Sequence, residues 1–124
     1  MSQTVAIVGA SVDPAKYGNK AVRAYRDAGW TVYPVNPRRA QIEGLASYPD
    51  LDSIPAAMLD RVSFYVTPAV GLGLLDQVAK KQVGELWLNP GADSPEVVAR
   101  AAALGLNVIQ ACAILGVGRD PGLY

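Results

Sequence analysis

Histidine is absent from the sequence, cysteine occurs once, and neither sign of charge is in excess. Without histidine the chain cannot assemble a Ser-His-Asp triad or a Cys-His pair, and no cluster of transition-metal ligands stands out. Cys112 has no second cysteine to pair with, which excludes an internal disulfide and favours a reducing cytosol. Eleven basic and eleven acidic side chains cancel, so no long-range field attracts nucleic acid or an anionic membrane.

Long apolar runs are missing as well. No stretch approaches the roughly 20 apolar residues that span a bilayer. The first residues, MSQTVAIVGAS, lack the charged region followed by a long apolar run that is typical of a signal peptide. We therefore expect a soluble, cytoplasmic protein. A chain of 124 residues is long enough for one core and too short for separate cofactor and substrate domains, so we expect one domain over residues 1–124.

Short apolar runs alternate with amphipathic segments along the chain. The apolar runs predict strands at Val5–Val8, Thr31–Val35, Val62–Val66, Glu85–Leu88 and Val108–Gln110. Helices are predicted over Lys20–Ala28, over Val70–Lys80, and between the start signal Ser94-Pro95-Glu96 and Gly105. This alternation predicts a single α/β, Rossmann-like, doubly wound parallel sheet of five to six strands with helices on both faces. A short edge strand is expected near Leu45–Tyr48.

In such a sheet, ligands bind beyond the carboxyl ends of the strands. After the first strand, the candidate binding residues are Gly9, Ala10 and Ser11, followed at the start of the helix by Lys16, Tyr17, Gly18, Asn19 and Lys20. The glycines are too widely spaced for the G-x-G-x-x-G fingerprint, but a helix N-terminus flanked by lysines could bind phosphate. A plain strand-to-helix turn is an equally good interpretation.

Three later strand ends carry a proline at the same predicted edge. The candidates there are Val35, Asn36 and Pro37, then Val66, Thr67 and Pro68, then Asn89, Pro90 and Gly91. Each proline alone is ordinary punctuation between strand and helix, since it delays helix formation and fixes the loop. Three together favour a rigid, open rim.

Arg38 and Arg39 follow the second strand, where an NAD-binding fold carries an Asp or Glu for the ribose hydroxyls. Guanidinium groups match phosphate with a planar fork of donors. This strand end therefore favours a ligand with an additional phosphate over NAD.

The segments VAIVGAS, VYPVNP, YPDLDSIP, FYVTP and LWLNPG occur in this order over about residues 4–114. Together they resemble the stand-alone CoA-binding domain family, which is related to the N-terminal domain of the succinyl-CoA synthetase alpha subunit and of NDP-forming acyl-CoA synthetases. The resemblance implies that coenzyme A is the cofactor and that its nucleotide end lies across Gly9–Ser11. It further implies that Asn36–Arg39 contacts the phosphates and that Thr67-Pro68 and Asn89–Gly91 flank the adenine and pantetheine path.

CoA carries a 3′-phosphate that Arg38 and Arg39 could pair with, whereas an acid at this position would repel it. NADP also carries a ribose phosphate, so the arginines alone do not discriminate between the two. The missing glycine fingerprint favours CoA. A branched side chain at Gly9 is expected to harm binding more than folding, because the nucleotide must approach the backbone there.

The resemblance covers only the nucleotide-binding module of the ligases, and the histidine that succinyl-type ligases phosphorylate has no counterpart here. We expect a module that binds CoA or a short acyl-CoA without catalysis of its own. A small NADP-dependent or nucleotide-using enzyme and a subunit that completes an acyl-CoA ligase with a separate chain are the alternatives. A homo-oligomer is also open.

No residue is predicted to be catalytic or to bind a metal. Asp50 and Asp52 are interpreted as solvated acids of a Pro-containing turn. Cys112 is interpreted as core filler among small apolar residues, with a mixed disulfide to the CoA thiol as the alternative.

Overall fold

Five parallel strands form the central sheet of the computed structural model, which describes residues 2–124. In chain order the strands are β1 (Thr4–Val8), β2 (Thr31–Val35), β3 (Gln41–Ile42), β4 (Leu45–Ala46), β5 (Met58–Phe64), β6 (Gln82–Leu88) and β7 (Val108–Gln110). The main sheet has the order β2-β1-β5-β6-β7, and every pairing in it is parallel. The predicted α/β, Rossmann-like fold is confirmed.

Helices cover both faces of this sheet. They are α1 (Tyr17–Asp27), α2 (Pro68–Lys80), α3 (Pro95–Ala103) and α4 (Ala113–Gly116), followed by a 3-10 turn over Pro121–Leu123. Successive side chains of a strand point to opposite faces, so Val5 and Ile7 pack in one core with α1 and α4 while Ala6 and Val8 pack in another with α2 and α3. None of the helices between residues 2 and 124 combines the length and apolar character needed to cross a bilayer.

Several predicted boundaries are wrong by a few residues. The strand predicted at Val62–Val66 occupies Met58–Phe64, which leaves Tyr65 and Val66 beyond the sheet edge. Helix α1 begins at Tyr17 rather than Lys20, and its N-cap residue, Lys16, makes no side-chain capping bond. The early start carried no sequence signal because the first turn lacks both a capping side chain and an acidic residue.

The edge strand expected near Leu45–Tyr48 is replaced by a small hairpin. β3 and β4 pair antiparallel across a turn in which Glu43 and Gly44 both have positive φ, of 53° and 74°. Within the segment expected to form this strand, Tyr48 alone extends the main sheet, through a parallel bridge to Val35. The tight turn favoured local pairing over a sixth strand, because residues with positive φ at both central positions are typical of two-residue hairpins.

Candidate functional site

The chain leaves β1 toward β2 on one side and later returns through β5 on the other, so the strand order reverses between β1 and β5. Doubly wound sheets bind ligands in the crevice above such a switch point. Two glycines build this crevice. Gly9 has φ +89°, and a Cβ there would overlap the Tyr65 carbonyl; a Cβ on Gly18 would overlap the Gly9 carbonyl. The start of α1 therefore packs directly against the end of β1.

The surroundings of Gly9 contradict the expectation that a side chain there would harm binding more than folding. Because a side chain there would collide with the backbone of the neighbouring strand end, its substitution harms folding as well as ligand approach. The backbone N–H groups of Gly9 and Ala10 donate to the Val35 carbonyl at 3.2 and 3.3 Å. These two amides are therefore engaged with β2 rather than free to bind a phosphate.

A cavity of about 440 Å³, here called the central cavity, opens above β1, β5 and β6. Its walls come from the start of α1 and from the ends of β5 and β6: Gly9, Lys16–Gly18, Phe64–Thr67 and Asn89–Ala92. Nine predicted binding residues meet here, namely Gly9, Lys16, Tyr17, Gly18, Val66, Thr67, Asn89, Pro90 and Gly91.

A second cavity of about 380 Å³, here called the apolar cavity, lies beside it toward α4. It shares Tyr17, Tyr65, Asn89 and Pro90 with the central cavity. Its remaining walls are Cys112, Leu115 and Pro121, so every residue that lines it is uncharged.

A third cavity of about 170 Å³, here called the β2-side cavity, lies on the opposite side of the switch point. Val35, Asn36 and Pro37 line it, as predicted for the end of the second strand. It shares Gly9 and Val66 with the central cavity. The three cavities thus form a continuous row along the carboxyl edge of the sheet.

The start of α1 supplies donors for an anion in the central cavity. The N–H groups of Tyr17 and Gly18 donate to no residue between 2 and 124, and Lys16 lines the same cavity. Free N–H groups and the positive end of the helix dipole favour a phosphate at such a position.

Arg38 and Arg39 lie on the exposed loop directly after Asn36 and Pro37. Asn36 fixes this loop, because its side-chain amide donates to the Ala10 carbonyl at 2.9 Å and its oxygen accepts from the Arg38 N–H at 2.8 Å. Within residues 2–124 neither guanidinium makes a hydrogen bond or an ion pair. Both remain available to a ligand that enters the β2-side cavity.

Seven predicted binding residues do not line any of the three cavities: Ala10, Ser11, Asn19, Lys20, Arg38, Arg39 and Pro68. Asn19 is fully buried, and its amide group donates to the Ser11 carbonyl at 2.9 Å and to the Glu43 carboxylate at 3.1 Å, which ties α1 to both residues. Its oxygen accepts from Arg23 Nε within the same helix at 2.7 Å. Lys20 donates to the Pro121 carbonyl at 3.4 Å and lies over the Tyr17 ring.

Asn89 lines two cavities, yet its side chain is engaged inside the protein. Its amide donates to Ser63 Oγ and to the Phe64 carbonyl, both at 2.8 Å, and its oxygen accepts from the Ala113 N–H at 2.8 Å. It joins β5, β6 and α4 at the sheet edge.

Sequence reasoning missed Tyr65, Leu115 and Pro121 as wall residues. Cys112 packs against the core beside α1 and α4, in agreement with its interpretation, but its place at a cavity was not predicted. Cys112 is only partly buried and lines the apolar cavity. Tyr65 is shared by two cavities, and burial raises the pKa of its hydroxyl. Tyr65 could have been found from the sequence, because it directly precedes the predicted binding residue Val66. Nothing in the pattern after β7 indicated that Leu115 and Pro121 lie at the sheet edge.

Asp50 belongs to a turn, in agreement with its interpretation. The Ser53 N–H and hydroxyl donate to its carboxylate at 2.8 and 2.7 Å, and these bonds lower the pKa of Asp50. No group of three acidic or cysteine side chains within residues 2–124 is arranged to hold a metal ion.

Comparison with known proteins agrees with this geometry. Residues 3–117 match the family model described as a CoA binding domain. The acetate–CoA ligase (ADP-forming) I of Archaeoglobus fulgidus is 40% identical over 53 residues, which are 43% of this chain and 8% of the ligase. The chain thus spans a small part of the curated relatives that it matches.

Two solved structures with the same fold match a larger share of this chain than the curated ligase does. A conserved hypothetical protein of Pyrococcus furiosus superposes with a TM-score of 0.81 at 31% identity, covering 94% of this chain and 99% of that one. The dinucleotide-forming acetyl-coenzyme A synthetase 1 of Candidatus Korarchaeum cryptofilum, in complex with phosphate and ADP, gives a TM-score of 0.75 at 29% identity. That match covers 88% of this chain and 25% of the synthetase.

Proposed function

Because the chain belongs to the CoA-binding domain family, we propose that it binds coenzyme A along the row of three cavities. The observation that carries this proposal is the continuity of the row across the switch point, since CoA is a long ligand with a base, a diphosphate and a flexible arm. Cavities of about 170, 440 and 380 Å³ that share wall residues match such a ligand better than one isolated pocket does.

The chemistry of the walls orients the ligand. The adenine ring occupies the β2-side cavity between Pro37 and the α2 residues Val70 and Leu74. The diphosphate lies in the central cavity beside Lys16 and the free N–H groups at the start of α1. The pantetheine arm then reaches toward the apolar cavity.

Arg38 and Arg39 bind the 3′-phosphate, since their side chains have no partner within residues 2–124. Charge-assisted hydrogen bonds to phosphate contribute roughly 1.5–3 kcal/mol each. NADP carries a comparable ribose phosphate and is the competing ligand. The Gly9–Gly18 loop, which is wider than the dinucleotide fingerprint, supports CoA over NADP.

We assign the chain a binding role without catalysis of its own, in the cytosol. It has no histidine, and the polar groups at the central cavity are donors suited to hold a phosphate rather than to break a bond. A role as one part of a larger acyl-CoA ligase is the second candidate, because the chain corresponds to 25% of a synthetase of that class. Copurification of a ligase-like chain would favour it.

The test compares CoA with dephospho-CoA by isothermal titration. Arg38→Ala combined with Arg39→Ala should weaken CoA binding by about 30- to 1,000-fold, or roughly 2–4 kcal/mol. Dephospho-CoA should bind the wild type more weakly and lose much less on mutation. The control, Lys80→Ala with Arg100→Ala, removes two exposed cations elsewhere and should change neither affinity.

Two results would contradict the proposal. Equal losses for CoA and dephospho-CoA would remove the arginines from recognition of the 3′-phosphate. Tighter binding of NADP than of CoA would identify a different cofactor.

A further inference from the structure

We propose that the apolar cavity binds the acyl group of an acyl-CoA and that it selects uncharged, apolar acyl chains. This inference rests on the proposed function, because it requires CoA to lie in the central cavity. It states which acyl groups the bound thioester carries, which the family match leaves open.

The position of the cavity supports this assignment. The central and apolar cavities share Tyr17, Tyr65, Asn89 and Pro90 as a common wall. An arm that leaves the diphosphate site at the start of α1 therefore passes directly into the second cavity. With about 380 Å³, that cavity is at the small end of the range for ligand pockets, which suits a short chain beside the end of the pantetheine arm.

The composition of the walls sets the selectivity. Aromatic rings, prolines, a leucine and a thiol form the surface, and none of them carries a fixed charge. The one amide, on Asn89, has its hydrogen-bonding groups paired with Ser63, Phe64 and Ala113. The Tyr65 hydroxyl is buried and has no hydrogen-bond partner within residues 2–124, so it is a neutral donor at this wall. A carboxylate on the acyl chain would lose its water there and gain at most a neutral donor and no cation, which is costly, whereas methylene groups gain by leaving water.

Lys20 lies near the rim of the apolar cavity, where a cation could pair with an acyl carboxylate. Its Nζ donates to the Pro121 carbonyl at 3.4 Å and lies 5.2 Å from the centre of the Tyr17 ring. Both of those residues line the cavity, but Lys20 itself does not. Its contacts hold the 3-10 turn against α1, and they close the side of the apolar cavity.

The experiment measures the affinities of CoA, acetyl-CoA, butyryl-CoA and succinyl-CoA by isothermal titration. Butyryl-CoA should bind about four- to sixteenfold more tightly than acetyl-CoA, since each buried methylene contributes about two- to fourfold. Succinyl-CoA has the same chain length as butyryl-CoA and should bind at least tenfold more weakly than it, because its carboxylate enters an uncharged site.

Leu115→Arg places a cation at the cavity and should change this preference. Leu115 is 62% exposed, so the substitution is compatible with folding. The variant should lose butyryl-CoA affinity and gain succinyl-CoA affinity, so that the ratio of the two affinities reverses relative to the wild type. Leu123→Arg is the matched control, because Leu123 is 81% exposed and does not line the cavity; it should behave as the wild type does.

Each alternative outcome overturns a defined part of the argument. Equal affinities for all four ligands would reject the acyl site and leave CoA binding intact. Tighter binding of succinyl-CoA than of butyryl-CoA by the wild type would reject the selectivity and assign Lys20 to the acyl carboxylate. Failure of CoA and of every thioester to bind would remove the proposed function together with this inference.

Discussion

Asn89 lies at the carboxyl edge of the sheet, where the cavities open, but its side chain stabilises the fold. Its three hydrogen bonds of 2.8 Å connect β5, β6 and the start of α4, and the residue is only 3% exposed. A buried polar group that loses its partner costs about 1–3 kcal/mol. The walls of the central and apolar cavities therefore depend on this amide, although its polar atoms point into the protein.

We predict that Asn89→Ala lowers the free energy of unfolding by about 2–4 kcal/mol, because it leaves the Phe64 carbonyl and the Ala113 N–H without partners. Urea denaturation followed by tryptophan fluorescence measures this. Asn107→Ala is the control, since Asn107 is exposed and makes one bond of 3.3 Å to the Gly84 carbonyl. Similar small losses for both variants would show that the Asn89 network contributes little.

The sequence placed Asn89 at the correct edge, because a residue directly after a buried strand must lie there. It could not show where the side chain points, since that depends on Ser63 and Ala113, which come from distant parts of the chain. The same limit applies to Asn19 and Asn36. All three were predicted to bind ligand, and the structure has their amides paired within the protein.

Among the elements, the contrast between α3 and α1 explains which boundaries the sequence could predict. Helix α3 begins where Ser94-Pro95-Glu96 indicated, and the Ser94 hydroxyl accepts from the Val97 N–H at 3.2 Å. Helix α1 has no such cap. The feature that makes the start of α1 difficult to predict also leaves its N–H groups free for an anion.

We predict that Ser94→Ala costs about 1 kcal/mol of stability through the loss of this cap. Ser47→Ala is a matched control, because the buried Ser47 hydroxyl has no hydrogen-bond partner within residues 2–124, and its removal should be neutral or slightly stabilising. Chemical denaturation of the two variants and the wild type provides the comparison. A loss at Ser47 as large as that at Ser94 would contradict the capping argument.

For the molecule as a whole, the decisive feature is the alignment of three cavities along one edge. The chain is neutral overall, so in the proposed function the recognition of CoA phosphates depends on the positions of Lys16, Arg38 and Arg39 rather than on a general field. The parallel sheet brings together residues that are far apart in sequence, from Gly9 to Pro121. Alternating strands and helices made the carboxyl edge of the sheet, where the cavities lie, predictable. The end of the chain, which closes the apolar cavity, carried no periodic pattern that could reveal its position.

The path of the ligand along this row can be tested with the single cysteine, because Cys112 lines the apolar cavity at the far end from Arg38 and Arg39. We predict that saturating acetyl-CoA slows alkylation of Cys112 by iodoacetamide about tenfold or more, because the pantetheine arm covers the thiol. Adenosine 3′,5′-bisphosphate should fill the β2-side cavity and leave the alkylation rate within about twofold. Acetyl-CoA is used in place of CoA because the free thiol of CoA would itself consume iodoacetamide. Mass spectrometry of the intact protein follows the rate, and one cysteine makes the assignment unambiguous. Equal protection by both ligands would mean that the nucleotide end, not the arm, lies beside Cys112, and the orientation of CoA along the row would then be reversed.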